Sequence, residues 1–81
     1  MPYNAKADIH QWTWYQTKKG ERYLCTTAGW TLVDAETQTW EPRNIHLLKI
    51  LETEPKFIET EKMIKLLETG ALVVIKSPIG N

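Results

Sequence analysis

The spacing of apolar residues changes character around Pro42. Before it, apolar and polar residues alternate in short runs rich in Trp, Tyr and Thr, the residue types that suit a pleated surface. After it, Leu, Ile and Met recur at intervals of about three and four, the rhythm of a helical face. The pattern predicts an α+β protein. A three- to four-stranded antiparallel meander packs on two short helices, and a C-terminal strand joins the sheet. A small SH3-like barrel with added helices is the alternative for the first half.

Residues 1–8 are polar and read as a loose leader. Ile9 to Thr17 reads as the first strand, and Lys18-Lys19-Gly20 as a tight turn whose glycine can take a positive φ. Glu21 to Thr27 returns, and Ala28-Gly29 breaks the run. Trp30–Val33 and Thr37–Glu41 then flank Asp34-Ala35-Glu36, a hairpin turn in which Asp34 can bond nearby backbone N–H groups. Residues 9–41 thus form the expected meander. Side chains alternate across a strand, so one face gathers Trp12, Trp14, Leu24, Trp30, Leu32 and Trp40. The other carries Tyr15, Tyr23, Cys25 and Val33 among threonines. The aromatic face is the expected core, with the aliphatic helices as its cover.

Residues 44–69 read as those helices. Asn44 can cap the first, and Ile45, Leu48 and Leu51 share a face that Leu47 and Ile50 widen; Pro55 closes it. Thr60 can cap the second, which carries Met63, Ile64 and Leu67 with Leu66 alongside. Glu61 and Lys65 stand in the favourable i, i+4 order, and Gly70 lies where a terminating glycine belongs. Residues 71–76 are apolar on both faces, the reading of a central strand, and 77–81 form a tail. Leu47-Leu48-Lys49-Ile50-Leu51-Glu52-Thr53 is echoed by Met63-Ile64-Lys65-Leu66-Leu67-Glu68-Thr69. Amphipathic helices drawing on the same few residue types account for the echo more simply than a true repeat, and its period is shorter than the usual solenoid units of about 20–50 residues.

Composition bounds what such a fold can do. The 81 residues carry ten basic and ten acidic side chains, and each half balances separately. Nucleic-acid binders draw much of their affinity from neutralising phosphates, so the absent basic excess argues against that class. No apolar run reaches the roughly 20 residues of a membrane span. A single cysteine, Cys25, excludes an internal disulfide and fits a reducing, cytoplasmic setting. A thin core without a staple favours self-association or assembly with a partner.

Candidate chemistry is sparse. His10, Cys25 and His46 are too few and too scattered for a structural metal site. Cys25, mid-strand among Tyr and Thr, reads as core rather than nucleophile. The glutamates around the helices form a solvated face, and the scattered glycines build no phosphate loop. No catalytic residue, metal or cofactor is expected. What remains is an aromatic and basic surface: Trp12, Trp14 and Tyr15 beside Lys18, Lys19 and Arg22. Trp12 or Trp14 is the tryptophan expected to escape the helical cover. These residues suit a protein-interaction module, as a homo-oligomer or as a small subunit of an assembly. The second reading is a single-stranded nucleic-acid binder in which bases stack on the rings. A winged-helix DNA binder is disfavoured by the glutamates around the second helix.

Overall fold

A computed structural model describes residues 4–78. After a 3-10 helix, Ala5–Asp8, the chain forms β1 (Trp14–Thr17), β2 (Arg22–Asp34), β3 (Thr39–Lys49), β4 (Lys56–Ile58), α1 (Thr60–Glu68) and β5 (Leu72–Ile75). The strands make one antiparallel sheet in the order β4-β3-β2-β1-β5. Helix α1 connects the two edge strands, so it must cross the sheet. Its nine residues extend about 14 Å, while five strands span about 19 Å between the outer axes. The helix and the 3-10 turn cover one face, where Ile9, Tyr15, Cys25, Ile45, Leu47, Met63, Leu67 and Leu72 form the core with Ala5.

Helix α1 lies where the aliphatic pattern predicts the second helix. Met63 and Leu67 are buried, and Gly70 takes φ +79° after the last turn. Thr60 does not cap it. Glu59 holds the cap position without a side-chain bond, and the buried Thr60 hydroxyl donates to the Pro42 carbonyl instead, tying the helix start to β3.

The other predicted helix is absent: residues 44–49 are the second half of β3. The segment reads as helix because Ile45, Leu48 and Leu51 fall on one helical face. In the sheet, Ile45 and Leu47 point into the core, Leu48 points the other way, and Leu51 is 98% exposed in a turn. Asn44 takes φ +56°, a left-handed conformation that asparagine tolerates better than most residues.

That position belongs to a pair of irregularities that also reverse the predicted core face. Between Cys25↔Leu47 and Thr27↔His46 the register gains a residue on β2. Between Thr27↔His46 and Gly29↔Arg43 it gains one on β3. A bulge shifts the alternation by one. Tyr15, Cys25 and Leu47 therefore face the helix on one side of the bulges, and Ala28, Trp30 and Pro42 do so on the other. The tryptophans are split accordingly. Trp14 and Leu24 lie on the uncovered face, opposite to expectation. Trp30 returns to the covered side, stacks on His10 with centroids 5.3 Å apart, and donates its indole N–H to the Ile9 carbonyl at 3.0 Å.

Ala28-Gly29 does not interrupt β2, because the bulge absorbs the irregularity there. Residues 5–8 are no loose leader: Ala5 is buried, Lys6 pairs with Glu41 at 2.9 Å, and the Asp8 carbonyl accepts the Tyr15 hydroxyl. Residues 1–3 of the predicted leader and 79–81 of the predicted tail lie outside the described residues. Finally, the strand that reads as central, β5, is an edge. No helix of the described residues is long and apolar enough to cross a membrane.

Candidate interaction surface

One row of residues crosses four strands on the uncovered face. Ile75 of β5 pairs with Trp14 of β1, Trp14 with Leu24 of β2, and Leu24 with Leu48 of β3. All four are partly exposed. A second row runs beside it: Val73 pairs with Gln16, and Gln16 with Arg22, whose Nε–H donates to the Gln16 side-chain oxygen at 3.2 Å. Towards the β4 edge, Phe57 is exposed and meets His46 edge-on, with centroids 5.7 Å apart. Register alone produces this surface. Directly opposed side chains in adjacent strands share a face, so four aliphatic and aromatic residues spread over sixty positions become contiguous.

The aromatic and basic residues singled out from the sequence do not form one surface. Trp14 and Arg22 do share the uncovered face. Tyr15 is fully buried on the opposite face, where burial foremost pushes its hydroxyl pKa far up. Lys18 and Lys19 sit in the β1–β2 turn, closed by Gly20 at φ +89°. Trp12 lies in the loop before β1, 65% exposed, with φ +70° and its N–H donating to the Cys25 carbonyl. Leu48, Ile75, Val73 and Phe57 escaped the sequence reading. Leu48 reads as a helix residue, and the period-two spacing of Ile45 and Leu47 is the signal that places it in a strand.

Lys18 and Lys19 instead line a cleft of about 350 Å³ on the covered side, floored by Tyr23, Leu47, Leu66, Ala71 and Leu72. At its rim Lys49 Nζ lies 2.6 Å from Glu21 Oε2. The hydrogen bond and charge of Lys49 hold the Glu21 carboxyl below the usual carboxylate range, and Glu21 raises Lys49 in return. At the far end of the molecule, β2 and β3 run on as a two-stranded arm. Leu32 and Trp40 pair across it, and both are exposed.

Cys25 is buried, its Sγ directed at the Thr27 carbonyl at 3.3 Å, and burial raises its thiol pKa. A thiol held protonated away from solvent is a poor nucleophile. Among the described residues, no three His, Cys, Asp or Glu side chains gather where they could hold a metal.

Comparison with known protein families, with characterised proteins and with solved structures returns no match.

Proposed function

We propose that this chain is a small non-catalytic protein-interaction module, working in a cytoplasmic setting as a homo-oligomer or as a small subunit of an assembly, and that it binds through the uncovered face of its sheet. The observation that carries this reading is the Ile75–Trp14–Leu24–Leu48 row, continuous across four strands with no helix of the described residues over it. A one-sided antiparallel sheet ordinarily presents polar residues to water on its free face. Here a whole row across that face is aliphatic and aromatic, and contiguous apolar patches on small proteins mark contact surfaces. Among the described residues, Arg22 is the one formal charge that the register places in these rows. The fitting partner is therefore a protein with an apolar patch and a carboxylate positioned to meet Arg22.

The test is affinity capture from the host combined with sedimentation, for wild type and for Leu48→Asp. Leu48 is only partly covered, so the variant should fold and lose its partner. A wild type that stays monomeric and captures no protein, or a variant that binds as well as wild type, overturns the reading.

Trp14 and Arg22 sharing one face also supports the second reading, single-stranded nucleic-acid binding. Tryptophan quenching by oligonucleotides at low salt, abolished at high salt, would favour it over a protein partner.

A further inference from the structure

The two edges of the sheet are built differently. Strand β4 has three residues, begins with Lys56, and is bracketed by Pro55 and Glu59. Short length, a lysine and a neighbouring proline are the usual guards against edge-to-edge pairing. Strand β5, only one residue longer, has neither a lysine nor a proline within its span: it is Leu72-Val73-Val74-Ile75, and Val73 and Val74 are 48% and 45% exposed. Its sequence is that of an interior strand, yet its place is the end of the sheet.

The ladder shows which groups its free edge presents. Thr17 donates to the Glu21 carbonyl, and Cys25 donates to that of Thr13. Thr13, Tyr15 and Thr17 thus direct their backbone groups at β2, and by alternation Trp14 and Gln16 direct theirs at β5. Their partners Ile75 and Val73 face back towards β1. Leu72 and Val74 therefore turn their N–H and C=O groups outward, off the end of the sheet.

We propose that β5 pairs antiparallel with β5 of a second copy of this chain, in a register centred on Val73. This deepens the self-association branch of the function proposed above and rests on it. A two-fold axis normal to the sheet keeps both helices on one side. It places Val73 opposite Val73, and Leu72 opposite Val74 in both directions, so each outward residue enters a hydrogen-bonded pair and about four new backbone bonds form. Centring on Val74 instead would set Leu72 against Lys76, which lies beyond the strand. Charge also favours a second copy over an arbitrary strand. Lys76 of one chain falls beside the end of α1 in the other, where the exposed Glu68 and the negative end of the helix dipole lie. The product is a ten-stranded sheet in which the Val73–Gln16–Arg22 rows of the two copies meet at Val73, with each Ile75 diagonal to the partner's Val73 on the same uncovered face. Four residues per edge bury little area, so the association is of the weak class seen below about 1,200 Å².

Sedimentation equilibrium of the full chain tests this, from about 10 µM to about 1 mM, the range expected of so small an interface. Wild type should rise towards twice its monomer mass, while Val74→Pro and Val74→Lys remain monomeric. The Val74 N–H points away from the ladder, so proline there should leave the far-UV spectrum unchanged. Under mild oxidation Val73→Cys should form a disulfide dimer at least about tenfold faster than Val74→Cys. Directly opposed residues in a non-hydrogen-bonded pair lie about 4.5 Å apart at Cα, within disulfide reach, whereas the two copies of position 74 stand diagonally, about 7–8 Å apart. A wild type that is monomeric throughout overturns edge pairing and leaves the interaction reading to its own capture experiment. Self-association that survives both Val74 variants but is lost in Leu48→Asp overturns edge pairing and supports the uncovered face. Equal cross-linking of the two cysteine variants overturns the register.

Discussion

Residues 47–53 and 63–69, LLKILET against MIKLLET, are identical at four of seven positions and differ only by aliphatic exchanges at the rest, yet they fold in opposite ways. The first is the end of β3 and an exposed turn; the second is the body of α1 and its C-cap. Their flanks account for the difference. The later segment has Glu59, Thr60 and Glu61 ahead of it, where acidic groups favour a helix start, and Gly70 behind it. The earlier one is led in by Pro42 and the Asn44 bulge on a strand already paired with β2. Seven residues are too few to hold a helix alone, for isolated helices below about 12–15 residues are marginal in water. A long hairpin ladder therefore outweighs the local helical pattern.

The widest gap between the segments is at their fifth position. Leu67 is buried beneath the helix, whereas Leu51 is 98% exposed. Leu67→Ala should destabilise by about 2–5 kcal/mol, and Leu51→Ala should change stability by less than about 0.5 kcal/mol, both read from urea unfolding. Equal effects would mean that the two segments are packed alike.

A more direct challenge makes the sequences identical. Leu47→Met, Leu48→Ile and Ile50→Leu together turn residues 47–53 into MIKLLET. Volume-conserving changes of this kind usually cost less than about 1.5 kcal/mol each. The triple variant should keep its far-UV circular dichroism; a gain in helical signal would show that local sequence, not pairing, decides.

Leu51 also has φ +77°, a conformation that side chains with a Cβ occupy at a cost. Leu51→Gly should therefore stabilise the protein by up to about 1 kcal/mol. Leu67→Gly in the helix should do the reverse.

The smallest effect concerns the third position. Lys49 is bound to Glu21, while Lys65 is an exposed helix residue. The Glu21 carboxyl has its pKa lowered in the folded state by Lys49. Its contribution is present above the unfolded value of about 4.3 and is lost as pH falls through the lower folded value. Lys49→Gln should shallow the acid limb of Tm measured between about pH 6 and pH 3, and Lys65→Gln should leave it unchanged.

The local elements were legible in the sequence. The β1–β2 turn around Gly20 and the Asp34 turn, where the carboxylate accepts from the Glu36 and Thr37 N–H groups, are written in residues with local conformational preferences. So is α1, with its apolar face and Gly70. The core face was not legible, because parity fails across the bulges at residues 26 and 44, and a bulge has no signature in the alternation it disrupts. The candidate surface was legible only in part. Trp14 and Arg22 stood out by type, whereas Leu48 and Ile75 joined them through pairings more than twenty residues apart in the chain.

The chain's own residues thus determined a mixed class of sheet and helix, the turns at Gly20 and Asp34, and one helix, because those depend on neighbours within a few positions. They also determined the balanced charge and the lone cysteine. Tertiary structure alone decided that LLKILET is a strand, that Tyr15 rather than Trp14 enters the core, and that an interior-like strand ends the sheet. Each of those outcomes depends on which distant segment supplies the hydrogen bonds and the apolar contact, and a bulge of one residue is enough to turn a side chain from one face to the other.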